Sequence, residues 1–253
     1  MPNKPTDPNK RGGEDAIEIE GVKPSAEIRR ELIESGEDVL LAFSTGKDSI
    51  SAWLAMLESG MPPERIHPYY LYSVPKPGLS FINDTLDYFE DFFQRRIVRY
   101  PHPSVYRFFY NFIFQPPQRR SVIEAARLPE LDYPDVTNAI QEDLGIGPNL
   151  WILDGVRATD SIIRRISVKR HGPMKFDSRK VSPVWDWRVQ DVRNAMAFHE
   201  VKWPIDYEMF GRSWDGLDRR FTEPVSRRFP EDYEVLKFWY PLIEMELFRD
   251  DLK

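Results

Sequence analysis

Apolar residues fall in two kinds of run along this chain. The unbroken runs "VLLAF" (39–43), "IHPYYLYSV" (66–74), "IVRYP" (97–101), "LWILDG" (150–155) and "KVSPVWDW" (180–187) have the length of strands. Such runs suit strands buried on both faces of a parallel sheet. Between them the apolar spacing changes to the helical period. Ile50, Trp53, Leu54 and Leu57 stand at i, i+3, i+4 and i+7, and Gly60 with Pro62-Pro63 ends that helix. Phe81, Leu86, Phe89 and Phe93 face inward on the next. "SAEIRRELIESGED" reads as a short helix that Ser25 can cap and Gly36 can stop. Residues 104–148 read as mostly helical, broken at "QPPQ", "LPEL" and "YP", with Gly145 past the end of "DVTNAIQEDL". "RVQDVRNAMAFHE" continues the helical pattern, and "PEDYEVLKFWYPLIEMELFRDDLK" reads as a helix pair bent at Pro241. Alternating strands and helices predict an α/β fold, a parallel sheet sandwiched by helices, with a helical C-terminal extension. Residues 1–22 are Pro-, Asn-, Gly- and charge-rich and read as a disordered tail.

The chain has 253 residues, 41% hydrophobic and 30% charged, which is ordinary for a globular protein. No apolar run approaches the ~20 residues that span a membrane, so no membrane partner is expected. The N-terminus lacks an apolar signal core, which points to the cytoplasm. There is no Cys, so disulfides, iron–sulfur clusters, Cys-zinc sites and a Cys nucleophile are excluded. His67, His102, His171 and His199 have no metal-ligand spacing. A net charge of −6 argues against a stand-alone nucleic-acid binder. Against that total, Arg157 to Lys180 holds eight Lys or Arg and two Asp. This stretch is either a solvated basic face or a segment that faces phosphate.

The chemistry concentrates at "FSTGKDS" (43–49), between the first strand and its helix. Open parallel sheets bind ligands at the carboxyl ends of strands, and a helix N-terminus offers free N–H groups to an anion. Gly46 lets the backbone approach a ligand, Ser44, Thr45 and Ser49 bring hydroxyls, and Lys47 brings charge. Asp48 either holds a Mg²⁺ or orients the loop. The stretch is a phosphate cradle or a plain polar turn. It is not a Walker A loop, because Leu41 stands at the first Gly position and Asp48 at the Ser/Thr position.

"FSTGKDS" resembles the S-G-G-x-D-S pyrophosphate loop (PP-loop) of the adenine nucleotide α-hydrolases. "LDGVRATDSIIRR" (153–165) is similar to the G-x-R-x-x-E-S-x-x-R stretch of the phosphoadenylyl-sulfate (PAPS) reductase family, with Asp160 for the Glu. "VSPVWDWRVQDVRNAM" (181–196) and "WPIDYEMFGRSWDGL" (203–217) resemble two further stretches of that family, in the same order. A similar layout occurs in phage-encoded members, for which the compartment is the host cytoplasm. The resemblance spans roughly 37–217 and implies a Rossmann-like (HUP-type) domain over 23–217, followed by the extension 218–253. It implies that Ser44, Thr45, Gly46, Lys47, Asp48 and Ser49 wrap the phosphates of ATP or a related adenine nucleotide. It also places adenine near Ala42, Phe43, Leu71 and Tyr72. Gly155 leads to Arg157, whose fork matches phosphate oxygens, and Arg164 is the second cation expected to face the ligand. Asp160 and Ser161 either fix Arg157 or cap the next helix. "SVKRHGPMKFDSRK" (167–180) reads as a basic loop, either plain surface or closing over the nucleotide. Asp186 and Trp187 match the family's Asp-Trp pair and are expected to be structural: Trp187 packs, and Asp186 or Asp191 starts a helix. Arg188 replaces the usual capping Ser or Thr.

The resemblance departs at Thr45, which replaces a Gly, and at Leu217, which stands where iron–sulfur relatives carry a Cys. Reduction through a protein thiolate is impossible for a chain without Cys. Cys-free PP-loop enzymes instead cleave ATP at the α-phosphate, adenylating an acceptor with Mg²⁺ and cationic clamps. The implied activity is adenylation of an unidentified acceptor, with Lys47, Asp48 and Arg157 as catalytic groups and Asp48 as metal ligand. The alternatives are a non-catalytic adenine nucleotide or PAPS module, and a subunit of a nucleic-acid sulfur-modification system. In the last, Arg119-Arg120, Arg219-Arg220 and Arg227-Arg228 would meet backbone phosphate. Phe238, Trp239, Tyr240 and Phe248 offer either a homodimer surface or cover for the chain's own core.

Overall fold

The computed structural model describes residues 16–248. Of the stretch read as a disordered tail, residues 1–15 lie outside the described residues. Beyond them, the Ile17 N–H donates to the Asp186 carbonyl at 3.1 Å and Ile19 is buried.

Among the described residues there are six strands: β1 (Val39–Ala42), β2 (Ile66–Tyr72), β3 (Val98–Pro101), β4 (Trp151–Leu153), β5 (Met174–Lys175) and β6 (Lys180–Val181). They form one sheet in the order β3-β2-β1-β4-β6-β5. β1 pairs in parallel with β2 and β4, β4 pairs in parallel with β6, and β5 runs antiparallel to β6. The fold is α/β, a mostly parallel Rossmann-like sheet flanked by helices. The helices are α1 (Ser25–Glu34), α2 (Lys47–Glu58), α3 (Ser80–Phe93), α4 (Pro103–Tyr110), α5 (Arg120–Ala126) and α6 (Tyr133–Leu144). They continue with α7 (Ile162–His171), α8 (Val189–Phe198), α9 (Ile205–Phe210), α10 (Arg219–Arg228) and α11 (Pro230–Trp239). Among the described residues no helix is long and apolar enough to cross a membrane.

The chain divides into two compact units that interleave in sequence. One comprises residues 16–69, Glu90–Ile97 and Ile146–Trp203. Val39, Leu40 and Leu41 are fully buried, as an unbroken apolar run in a central strand should be. Trp53 on α2 stacks on Phe93 and meets Phe43 edge-on, which adds geometry to the burial of three large rings. α2 packs on α8, and the Glu58 carboxylate holds His199 at 2.7 Å.

The other unit comprises Tyr70–Phe89, Val98–Gly145 and residues 204–248. Its core is an aromatic cluster in which Phe81, Phe210, Trp214, Phe221 and Phe229 meet mostly at steep angles. The Asp232 carboxylate accepts the N–H and hydroxyl of Ser80 at 2.8 and 2.9 Å, closing the start of α3. Tyr240 is buried and donates its hydroxyl to the Ser73 carbonyl at 2.9 Å, whereas Phe238 and Phe248 are exposed.

Four sequence expectations change. Ser25 is the first helical residue of α1, after Pro24, and does not cap it; its N–H and hydroxyl go to the Asp186 carboxylate at 2.9 and 2.5 Å. Asp186 therefore ties α1 down, and Asp191 starts α8 by accepting the Arg188 N–H at 2.8 Å. The strand expected over 180–187 stops at Val181, because Pro183 cannot donate to a ladder, and residues 182–187 turn back on themselves. The basic loop expected over 167–180 is largely ordered: Ser167 to His171 complete α7, and Met174-Lys175 form β5. Of the helix pair expected over 230–253, α11 ends at Trp239, before Pro241, and among the described residues a 3₁₀ turn (Ile243–Glu246) follows in place of a second helix; residues 249–253 lie outside the described residues.

Candidate functional site

Strand order reverses at β1, with β2 and β3 to one side and β4 to the other. The loops leaving the carboxyl ends of β1 and β4 are therefore neighbours at a topological switch point, where open α/β sheets bind ligands.

The first loop turns at Thr45, which is buried with φ +57°. A β-branched residue in the left-handed region costs roughly 1–2 kcal/mol. The Thr45 hydroxyl donates to the Ser44 carbonyl at 2.6 Å. Thr45 thus takes a positive φ, a conformation that suits glycine and that its own β-branched side chain disfavours. Ser49, also buried, braces the turn from inside: its hydroxyl donates to the Gly46 carbonyl at 2.9 Å and accepts the Ser44 N–H at 3.2 Å. Gly46 is the N-cap of α2 and supplies no side-chain acceptor. The first-turn N–H groups of a helix have no intrahelical partner, so this end carries partial positive charge.

The second loop runs from Asp154 to Ser161. Gly155 lies against the start of α2: a Cβ there would sit 2.5 Å from the Asp48 carbonyl carbon and 2.8 Å from the Ser49 nitrogen. No side chain fits, so the glycine sets how closely the loops approach. Arg157 is buried, with its Nε 2.9 Å from Asp48 Oδ1, although the N–H and lone pair are not aligned as a hydrogen bond. Its Nη2 reaches Asp160 Oδ1 at 2.5 Å. The other Asp160 oxygen pairs with Arg164, and Asp48 Oδ2 pairs with Lys47 at 2.8 Å. Ser161 caps α7, accepting the Arg164 N–H at 3.2 Å. Of the two roles open to Asp160 and Ser161, Asp160 fixes Arg157 and Ser161 caps.

Ser44, Thr45, Gly46, Lys47, Asp48, Ser49, Gly155, Arg157 and Arg164 thus lie in one unit, and those from Lys47 onward join in one chain of contacts. Tyr72 belongs to the other unit, half-buried at the end of β2, its carbonyl accepting the His102 N–H at 2.9 Å. The Arg157 fork, expected to reach phosphate, is directed at two carboxylates of the protein itself.

One charged residue of this loop was not singled out from the sequence. Asp154 Oδ1 accepts the Ser182 hydroxyl at 2.6 Å and the Val156 N–H at 3.1 Å. Burial pushes its carboxyl up, against the pull of these two donors and of Lys175 and Lys180. Its signal was an Asp followed by Gly at the end of an apolar strand, inside a stretch read mainly for its arginine.

Among the described residues no group of three or more His, Asp or Glu could hold a metal ion. Asp48 can offer a Mg²⁺ one carboxylate oxygen, that facing Lys47, which fits the usual case of Mg²⁺ held by a carboxylate, substrate phosphates and water. No protein-family model matches the chain, and no curated protein matches it.

Proposed function

We propose that the β1–α2 and β4–α7 loops bind the phosphates of ATP or a related adenine nucleotide, and that the chain transfers its adenylyl group to an unidentified acceptor. In this reading the chain is a Cys-free relative of the PAPS reductase-like PP-loop proteins. The observation that carries it is the start of α2: an uncapped helix N-terminus behind a left-handed turn, at the switch point of the sheet, with Lys47 on its first turn. An anion there would meet backbone donors and the helix dipole together.

In the reaction, an acceptor nucleophile bonds to the α-phosphorus as the bond to the α–β bridging oxygen breaks, and pyrophosphate leaves with the electron pair. Lys47 turns from Asp48 to the leaving phosphates, a small change for a flexible ammonium. Arg157 acts by holding Asp48 and Asp160 in position. Bound Mg²⁺ would supply charge neutralisation on the phosphates, with Asp48 as its protein ligand. A second reading, a nucleotide-binding module without catalysis, is favoured by the pairing of Arg157 with protein carboxylates.

Calorimetric titration with ATP, AMP, PAPS and adenosine 3′,5′-bisphosphate, with and without Mg²⁺, tests the proposal. Mg²⁺-dependent ATP binding that Lys47→Ala removes supports it, and pyrophosphate release separates enzyme from module. Failure of all four nucleotides to bind would overturn both readings.

A further inference from the structure

The second unit contains a cavity of about 400 Å³, within the usual size range for small-molecule sites. It shares only Tyr72 with the residues read for the nucleotide. Tyr70, Tyr72 and Trp214 supply aromatic wall, Ile82 adds aliphatic surface from α3, and Lys76 and Arg99 supply charge. No Asp or Glu is among its lining residues.

The two cations are available in different degrees. Lys76 is exposed and has no ion-pair partner among the described residues. Arg99 donates to Asn83 at 3.3 Å and to Asp87 at 2.5 Å, which uses two of five guanidinium N–H groups. Asp87 is 64% exposed, so water screens that pair and it is weak. Tyr70 is buried, and burial keeps its hydroxyl protonated, a donor and not an anion. The nearby start of α3, which would otherwise attract a phosphate, already holds the Asp232 carboxylate at Ser80. What remains is a planar fork and an ammonium above apolar and aromatic walls. A guanidinium fork matches a carboxylate in plane and spacing.

We propose that this cavity binds a small carboxylic acid with an aromatic or aliphatic body. The head group meets Arg99 and Lys76, and the body packs on Tyr70, Ile82 and Trp214. The inference stands apart from the nucleotide reading.

The test is calorimetric titration of the full chain with 3-phenylpropionate, hexanoate and the neutral 3-phenylpropan-1-ol. The acid with the phenyl group is expected to bind at least about tenfold more tightly than the alcohol of the same frame. Arg99→Gln and Lys76→Gln, both at partly exposed positions, should each weaken the acids and leave the alcohol unchanged. Ile82→Trp should abolish binding by filling the cavity. Equal affinity for acid and alcohol overturns the proposal, as does acid binding that neither charge variant alters. So does absence of binding by both acids at ~10 mM. Displacement of the acid by AMP, with AMP binding also lost in the charge variants, would make the cavity a nucleotide pocket and equally overturn it.

Discussion

Two helices of the first unit begin just after neighbouring strands, and they are built in opposite ways. α2 follows β1, and eight of its twelve residues are buried, from Ser49 to Met56. α7 follows β4, and only Val168 of its ten is buried, with Ile162 and Ile163 about four-fifths exposed. The buried helix has no side-chain cap, while the exposed one is capped by Ser161. An isolated surface helix is marginal and gains from every local contact. A helix held by core packing can leave its N-terminus open. Of the two, α2 is the one that begins without a side-chain hydrogen bond at its cap.

The largest expected break in this comparison is Gly155→Ala. The added methyl would collide with the α2 backbone, which cannot move without disturbing the core around Trp53. We expect a loss of about 3 kcal/mol, toward the upper end for overpacking, read as a urea midpoint shift. A variant as stable as the parent would mean that the loops do not approach so closely. Next in size is Arg157→Met, which takes the buried cation away from both Asp48 and Asp160. Both carboxylates keep some water, so the cost should be about 2 kcal/mol, below that of a fully buried pair.

How much of this was legible in the sequence follows the same division. α2 and β1 could be read directly, because burial on all sides leaves an apolar pattern that fits little but a core element. α7 could be read only in part. Apart from Val168 its apolar residues are exposed isoleucines and its polar ones form a basic run, so from Ser167 on the pattern resembles a loop. The cap at Ser161 was visible as one of two options; that Asp160 takes the other role depends on where Arg157 lies in space. Ser25 was misread for a similar reason, since its partner Asp186 is 161 residues away. That residues 43–49 follow the carboxyl end of a strand could be anticipated from strand alternation, but the reversal of strand order there could not, because alternation does not fix which strands are neighbours. The pairing of Arg157 with carboxylates could not, because nothing in the spacing says where an arginine fork ends.

Smaller changes sharpen the comparison. Ser161→Ala should cost about 1 kcal/mol through the lost cap. It should leave α2 untouched, so amide exchange should quicken in α7 and not in α2. Thr45→Gly should move the other way. Relief of the left-handed strain outweighs the entropy that glycine loses on folding, giving a gain of about 0.5 kcal/mol. In thermal melts that is a rise of about 1–2 °C. A clear loss instead would mean that the Thr45 hydroxyl bond to Ser44 matters more than the strain.

The subtlest expected effect concerns Asp154, the first residue of the second loop. Its carboxyl is pushed up by burial, so the protonated form is favoured in the folded chain. A group with a raised folded pKa contributes stability below its unfolded value, about 3.9 for Asp, and loses it as pH rises through the folded value. Asp154→Asn keeps an oxygen that can accept from Ser182 and Val156 but removes the charge that burial disfavours. The variant should therefore be the more stable of the two at neutral pH, and the gap should close as pH falls below the unfolded value. Melting both proteins across that range checks the sign. A gap that widens toward acid would mean that the Asp154 carboxylate is held by its donors and cations more strongly than burial opposes it, and the second loop would then carry a stabilised anion beside Gly155.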